Sequence, residues 1–185
     1  MSGEIRIIGG QWKRTRLAVP DKPGLRPTPD RVRETLFNWL GQSLDGWVCV
    51  DAFAGTGALG LEAASRGAAQ VQLVEQDAAL VKALQAQVQR LQASQQVSVR
   101  RGDGVAWLRG LPAASVDLVL LDPPFDADVF EPALKAARPC LRATGWLYLE
   151  CPRAWDDAAL APLGLRVYRH LKAGAVHAHL LQVLA

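Results

Sequence analysis

Residues 51–60, Asp51-Ala52-Phe53-Ala54-Gly55-Thr56-Gly57-Ala58-Leu59-Gly60, hold a G-x-G-x-x-G between an apolar run, Trp47–Ala52, and a segment of helical character, Ala58–Arg66, stopped by Gly67. Glycines in that setting turn a strand tightly into a helix and let the backbone approach a ligand. Dinucleotides and other adenosine ligands share this requirement, and Glu75, at the end of the next strand, can accept from ribose hydroxyls in either case. Asp51 separates them. It ends the strand before the glycines, where the pyrophosphate of a dinucleotide would lie and be repelled. S-adenosylmethionine (AdoMet) carries no phosphate but an ammonium and a sulfonium, which a strand-end carboxylate favours. Asp51 as a cap for the loop amides is the plainer alternative.

Outward from this stretch, short apolar strands alternate with helical segments. Strands are expected at Val71–Glu75, Val97–Arg101, Asp117–Leu121, Trp146–Glu150, Leu165–Leu171 and Val176–Leu184. Helices are expected after Asp77 (stripe Leu80, Leu84, Val88, Leu91), around Val105–Leu108 and over Val129–Ala137. Such alternation predicts an α/β fold: a mostly parallel sheet of seven strands with helices on both faces, binding ligands at the carboxyl ends of its strands. Ahead of it, Glu4–Ile8 and Thr15–Val19 flank Gly9-Gly10-Gln11-Trp12-Lys13-Arg14 and predict a β-hairpin. Residues 1–20 are read as this basic extension and 21–185 as the main domain. Between them LRPTPDRVRETLFNWLG predicts a helix capped by Thr28, with Pro29 in its first turn, Gly41 at its end and Val32, Leu36 and Leu40 inward.

The 185 residues suffice for one hydrophobic core, and half of them are hydrophobic. No apolar run approaches a membrane span, and MSGEIRIIGG lacks the apolar core of a signal peptide. Cys49, Cys140 and Cys151 are odd in number and widely spaced, which argues against disulfides or a zinc cluster and for a cytoplasmic location. Residues 1–40 carry eight Lys/Arg against four Asp/Glu, while the rest carry 13 against 14. A basic end on a near-neutral body suits a polyanion; a merely solvated surface is the alternative. His170, His177 and His179 adjoin neither motif, and no metal is expected.

A second motif, Leu120-Leu121-Asp122-Pro123-Pro124-Phe125, follows the fourth strand of the main domain. Two prolines fix the backbone and remove two amide donors, leaving an acceptor-rich loop with a carboxylate and an aromatic ring. Asp122 and the Pro123 carbonyl can each accept one proton of an amino group on a planar base, and Phe125 can stack on it. Asp103, in RRGDG, is placed for the adenine amino group or for a simple turn.

VDAFAGTGALGLEAASRGA with LLDPPF resembles the Rossmann-like class I AdoMet-dependent methyltransferases that modify exocyclic amines of nucleobases. IRIIGGQWKRTRL followed by LRPTPDRVRETLFNWL narrows the resemblance to the bacterial 16S ribosomal RNA guanine-N(2) methyltransferase family, over about residues 4–150. It implies that Asp51, Gly55 and Gly57 hold the methionine part of AdoMet, Glu75 the ribose and Asp103 the adenine, with Phe53 also among the cofactor-binding residues. Asp122, Pro123, Pro124 and Phe125 would hold the target guanine, and the Arg26-Pro27-Thr28 turn would close over the cofactor carboxylate. Arg6, Lys13, Arg14, Arg16, Arg26 and Arg31 are the candidate RNA contacts. The implied partner is 16S rRNA or a small-subunit assembly particle, met by a monomer. A DNA or RNA adenine amino-methyltransferase, and a non-catalytic RNA-binding assembly factor on the same fold, remain open.

Overall fold

Val48–Val50 and Leu118–Leu121 are near-continuous apolar runs, the composition of strands covered on both faces. In the computed structural model, which describes residues 3–185, both are central strands. In chain order β1 (Gly3–Arg6) and β2 (Arg16–Val19) form an antiparallel pair and α1 (Asp30–Leu40) follows. Then come β3 (Val48–Asp51), α2 (Ala58–Ser65), β4 (Gln70–Glu75), α3 (Ala78–Arg90), β5 (Val97–Arg101) and α4 (Gly104–Arg109). The chain closes with β6 (Val116–Leu121), α5 (Phe130–Cys140), β7 (Leu141–Cys151), α6 (Asp157–Leu160), β8 (Leu165–Ala173) and β9 (Val176–Val183).

The large sheet runs β5-β4-β3-β6-β7-β9-β8. β3 to β7 are parallel, and β9 pairs antiparallel with both β7 and β8. From β3 the chain winds outward to β5 and then returns to lay β6 against the other side of β3. With right-handed crossovers, that reversal sends the helices before and after it to opposite faces. One core accordingly joins Val32, Leu36 and Phe37 of α1, Leu61 of α2 and Leu84 and Val88 of α3. The other joins Val105 and Leu108 of α4, Ala133, Leu134 and Ala137 of α5 and Leu160 of α6. β3 and β6 stay paired to their carboxyl ends, Asp51 beside Leu120, and the chain leaves them there for opposite faces, the switch point where such sheets bind ligands.

Three details differ from the sequence reading. Thr28 does not cap α1: Pro29 takes the cap position with no side-chain cap bond, and the Thr28 hydroxyl is committed elsewhere. β7 starts at Leu141 and not Trp146, because Leu141 pairs with Val116 before a register shift between Val116 and Leu118. α6 was not expected; Asp156 caps it through Ala159 N at 2.9 Å. The hairpin ladder extends inward, with Ile7 N donating to Thr15 O at 2.9 Å and Arg14 N to Ile7 O at 2.8 Å. Its Ile5, Ile7, Leu17 and Val19 are buried in the core that holds α1 and α2. The first two residues of the 1–20 segment lie outside the described ones.

Candidate active site

The carboxyl ends of β4, β3, β6 and β7 place Glu75, Asp51, Asp122 and Glu150 in a row across the crevice. At about 4.8 Å per strand the row spans about 14 Å. Asp51 is 1% exposed. Its Oδ2 accepts from Gly60 N at 3.0 Å, while Oδ1 is buried with no hydrogen-bond partner. Burial pushes its carboxyl up to about 7, against the pull of the Gly60 and Phe53 amides and with a smaller push from Glu75 and Glu150. An unpartnered buried carboxylate oxygen costs free energy unless a donor or cation meets it.

The glycine turn is built as its sequence requires. Gly57 opens α2 at φ 81°, a left-handed conformation that favours glycine. A Cβ on Gly60 would come 2.2 Å from Leu73 Cδ2 and 3.2 Å from Asp51 Oδ2, so the helix can sit this close to β3 and β4 only with glycine there. Glu75 holds the turn by accepting from Gly55 N at 2.9 Å and from Asp77 N at 3.1 Å. Phe53, half-buried, packs on the α4–α5 core. Asp103 caps α4, accepting from Ala106 N at 2.7 Å, so the turn role read from its sequence is occupied.

The chain from Pro20 to Thr28 straps this turn. Lys22 is ion-paired to Asp77, Leu25 reaches within 3.3 Å of where a Gly55 Cβ would stand, and Thr28 ends the strap at the carboxylates. The Thr28 hydroxyl lies 3.3 Å from Asp122 Oδ2 and 3.0 Å from Glu150 Oε2. Tyr148 donates to the other Glu150 oxygen at 2.8 Å. Thr28, Tyr148 and Glu150 are buried, whereas Asp122 is half-buried and faces the opening with Phe125, which is 39% exposed. Burial first, then the Glu150 carboxylate, hold the Asp122 carboxyl well above the usual carboxylate range. The same two causes raise the Tyr148 hydroxyl. Glu150 was missed in the sequence; an acidic residue closing the apolar strand LYLE was the available signal.

Of the candidate RNA contacts, Arg6, Lys13, Arg14, Arg16, Arg26 and Arg31 are all exposed. Arg16 lies 3.6 Å from Glu4. The hairpin tip is fastened to the end of α2 remote from the glycine turn: Gln11 N donates to Ser65 O at 2.8 Å and Trp12 N to Ser65 Oγ at 3.0 Å. Lys13 and Arg14 therefore stand about a helix length, about 12 Å, from the turn, whereas Arg31 starts α1 beside Thr28. A buried Arg33–Glu62–Arg66 cluster, also missed in the sequence, secures the hairpin; Glu62 accepts from Ile8 N and Gly9 N, each at 2.9 Å. Two shallow hollows of about 280 and 240 Å³ flank β5, lined by amides, hydroxyls, valines and one arginine, away from every carboxylate of the row. Among the described residues no group of three or more His, Cys, Asp or Glu is arranged to hold a metal, and no helix is long and apolar enough to cross a membrane.

A glycine turn beneath a strand-end aspartate, beside a rigid proline loop at the switch point of this seven-stranded sheet, defines a Rossmann-like class I methyltransferase fold. The chain matches the family described as conserved hypothetical protein 95 over residues 5–182 and belongs to it, the family of the ribosomal RNA small subunit methyltransferase D proteins. It is 46% identical to ribosomal RNA small subunit methyltransferase D of Escherichia coli K12 over 148 residues, 79% of this chain and 71% of that one. The protein of the same name from Haemophilus influenzae is 35% identical over 97% of this chain and 94% of its own. The solved structure of yhhF, a candidate methyltransferase from Escherichia coli, superposes with a TM-score of 0.84 at 35% identity, covering 99% of both chains.

Proposed function

We propose that this chain transfers a methyl group from AdoMet to the exocyclic 2-amino group of a guanine in 16S ribosomal RNA. The observation that carries the reading is the buried, unpartnered Asp51 Oδ1 beside the glycine turn, one strand from the Asp122–Phe125 loop. An ammonium satisfies that oxygen; a pyrophosphate aggravates it. The donor set thus fits AdoMet: Asp51, Phe53, Gly55 and Gly57 for the methionine part, Glu75 for the ribose, Asp103 for the adenine and the Arg26–Thr28 turn for the carboxylate. The names of the relatives support ribosomal RNA as substrate, and the sequence resemblance supports guanine N2.

When bound, the cofactor supplies an electrophilic sulfonium methyl. The protein's part is orientation and electrostatics. A guanine amine is a poor nucleophile because its lone pair is delocalised into the ring. Asp122 and the Pro123 carbonyl each accept one of its protons and localise that pair, while Pro123 and Pro124 keep the acceptors rigid. Phe125, already exposed, stacks on a base unstacked from the RNA. Arg6, Lys13, Arg14, Arg16, Arg26 and Arg31 contact phosphates.

The test is thermal shift with AdoMet, its demethylated product, NAD and FAD in parallel, then tritium transfer from labelled AdoMet to small-subunit RNA or particles with nucleoside analysis. AdoMet and its product should raise Tm, by about 2.7 kcal/mol at 100 times Kd, and the labelled nucleoside should be 2-methylguanosine. Equal stabilisation by NAD would overturn the cofactor, and methylated adenosine would overturn the base.

A further inference from the structure

Glu150 has no part in the mechanism above, yet it is buried one strand from the reacting loop and shares a hydroxyl with Asp122. Counting protons shows why this matters. Thr28 Oγ1 contacts Glu150 Oε2 and Asp122 Oδ2 but has one proton to donate. With both carboxyls ionised, one contact would set two acceptors against each other. It becomes a hydrogen bond when one carboxyl is protonated and donates to the Thr28 oxygen while Thr28 donates to the other. The second Glu150 oxygen already accepts from Tyr148 at 2.8 Å. Among the described residues, those acting on the pair are acids and neutral donors: Asp51 on β3 with Glu75 beyond it on β4, and Tyr148 and Cys151 on β7. Arg33 of α1 gives its Nε to the Thr28 carbonyl at 3.1 Å and is paired with Glu62 and Asp30.

The geometry points to Glu150 as a positioning residue that shares one proton with Asp122 through the Thr28 hydroxyl and so sets the ionisation of the carboxylate meeting the target amine. It rests on the methyltransferase reading only for its kinetic consequence. Relay is balanced: the Asp122 proton passes to Thr28 Oγ1 as the Thr28 proton passes to Glu150 Oε2, and the hydroxyl is regenerated. An arriving amine donates to Asp122, favours its ionised form and drives the shared proton onto Glu150. After transfer, Asp122 takes the proton that the methylated amine sheds, and the doubly protonated pair returns one proton to water. Burial, then the charge of Glu150 and a hydrogen bond to it, hold the Asp122 carboxyl above the ordinary carboxylate range, which accords with a shared proton.

Two readouts separate this inference from the reaction. Infrared spectra of the free protein at pH 7 should show a protonated-carboxyl band lost in Glu150→Gln and in Asp122→Asn, and distinct from the one that Asp51→Asn removes. In the methyl-transfer assay Glu150→Gln should move the acid limb of kcat at least one pH unit lower, because the carboxylate that adds to burial in keeping Asp122 protonated is gone. The KM for AdoMet should stay within threefold. Thr28→Val should cut kcat about tenfold and Thr28→Ser should restore most of it. No band beyond that of Asp51, or a band that survives both substitutions, overturns the shared proton; an unmoved acid limb in Glu150→Gln overturns the positioning role. A band that behaves as described in a protein that methylates no RNA leaves the pair standing and overturns the substrate reading.

Discussion

Asp51 is a buried acid whose folded ionisation, pushed to about 7, lies above the ordinary carboxylate value of 3.8. Between those two pH values the folded chain holds a proton that the unfolded chain has released, so stability is full below the lower value and falls as pH rises toward the upper. The loss is of the order of 4 kcal/mol at most. Urea midpoints should therefore decline from pH 5 to pH 8, and Asp51→Asn should flatten much of that slope, the remainder belonging to the raised Asp122 carboxyl. AdoMet affinity should tighten over pH 6–8 in the wild type and be weak and flat in Asp51→Asn; a strong shift by AdoMet in that variant would remove Asp51 from the site. At Asp122 binding and chemistry should part. Asp122→Ala should keep AdoMet affinity within a few-fold while turnover falls a hundredfold or more, about 3 kcal/mol, and wild-type turnover would end its assignment. Asp51, Glu75 and Asp122 were legible in the sequence because each closes its own apolar strand. The Asp122–Glu150 pairing was not, since it arises only when β6 and β7 pair 28 residues apart in sequence, Leu121 beside Leu149.

Helices and strands were read to within a few residues wherever local periodicity matched the burial that tertiary packing imposes. Thr28 departs from that rule: its local sequence suits a cap, but the buried Glu150 and half-buried Asp122 carboxyls outcompete a backbone amide for its hydroxyl. Arg33 departs too, since a charged residue between Val32 and Glu34 gives no hint of a buried partner on α2. That partner shapes how the hairpin should be tested. Deleting residues 1–20 would strip Ile5, Ile7, Leu17 and Val19 from the core and leave Glu62 without two amide donors. Lost RNA binding in such a truncation would be confounded by lost folding. Glu62→Ala isolates the structural share: it leaves buried Arg66 without a carboxylate and buried Arg33 with Asp30 alone, and should cost about 3–5 kcal/mol. Its urea midpoint should fall well below that of the wild type; an unchanged midpoint would mean that the cluster does not fasten the hairpin.

Across the whole molecule the basic excess of the first 40 residues divides into two places. Lys13 and Arg14 sit at the hairpin tip, fastened to the remote end of α2, and Arg31 sits in the first turn of α1, next to Thr28. Arg33, counted in the same excess, is fully buried and unavailable to a polyanion. Arg26 is set aside, because its turn is also assigned to the cofactor carboxylate. Each phosphate contact adds about 0.7–0.9 to the salt slope wherever it lies, while only contacts near the reacting loop orient the target base. Lys13→Ala with Arg14→Ala should therefore weaken RNA binding and flatten the slope by up to about 1.4–1.8, raising KM for RNA with kcat kept. Arg31→Ala should flatten it by about half as much yet also lower kcat, since on the proposed reading Arg31 would hold the part of the RNA presented to Asp122 and Phe125. Neither change touches Asp51 or the glycine turn, so the AdoMet shift should be that of the wild type in both. Binding measured from 50 to 200 mM salt beside steady-state methyl transfer decides it. If the tip variant binds RNA with the affinity and slope of the wild type, the hairpin is structural, and the polyanion surface must be sought elsewhere on the molecule.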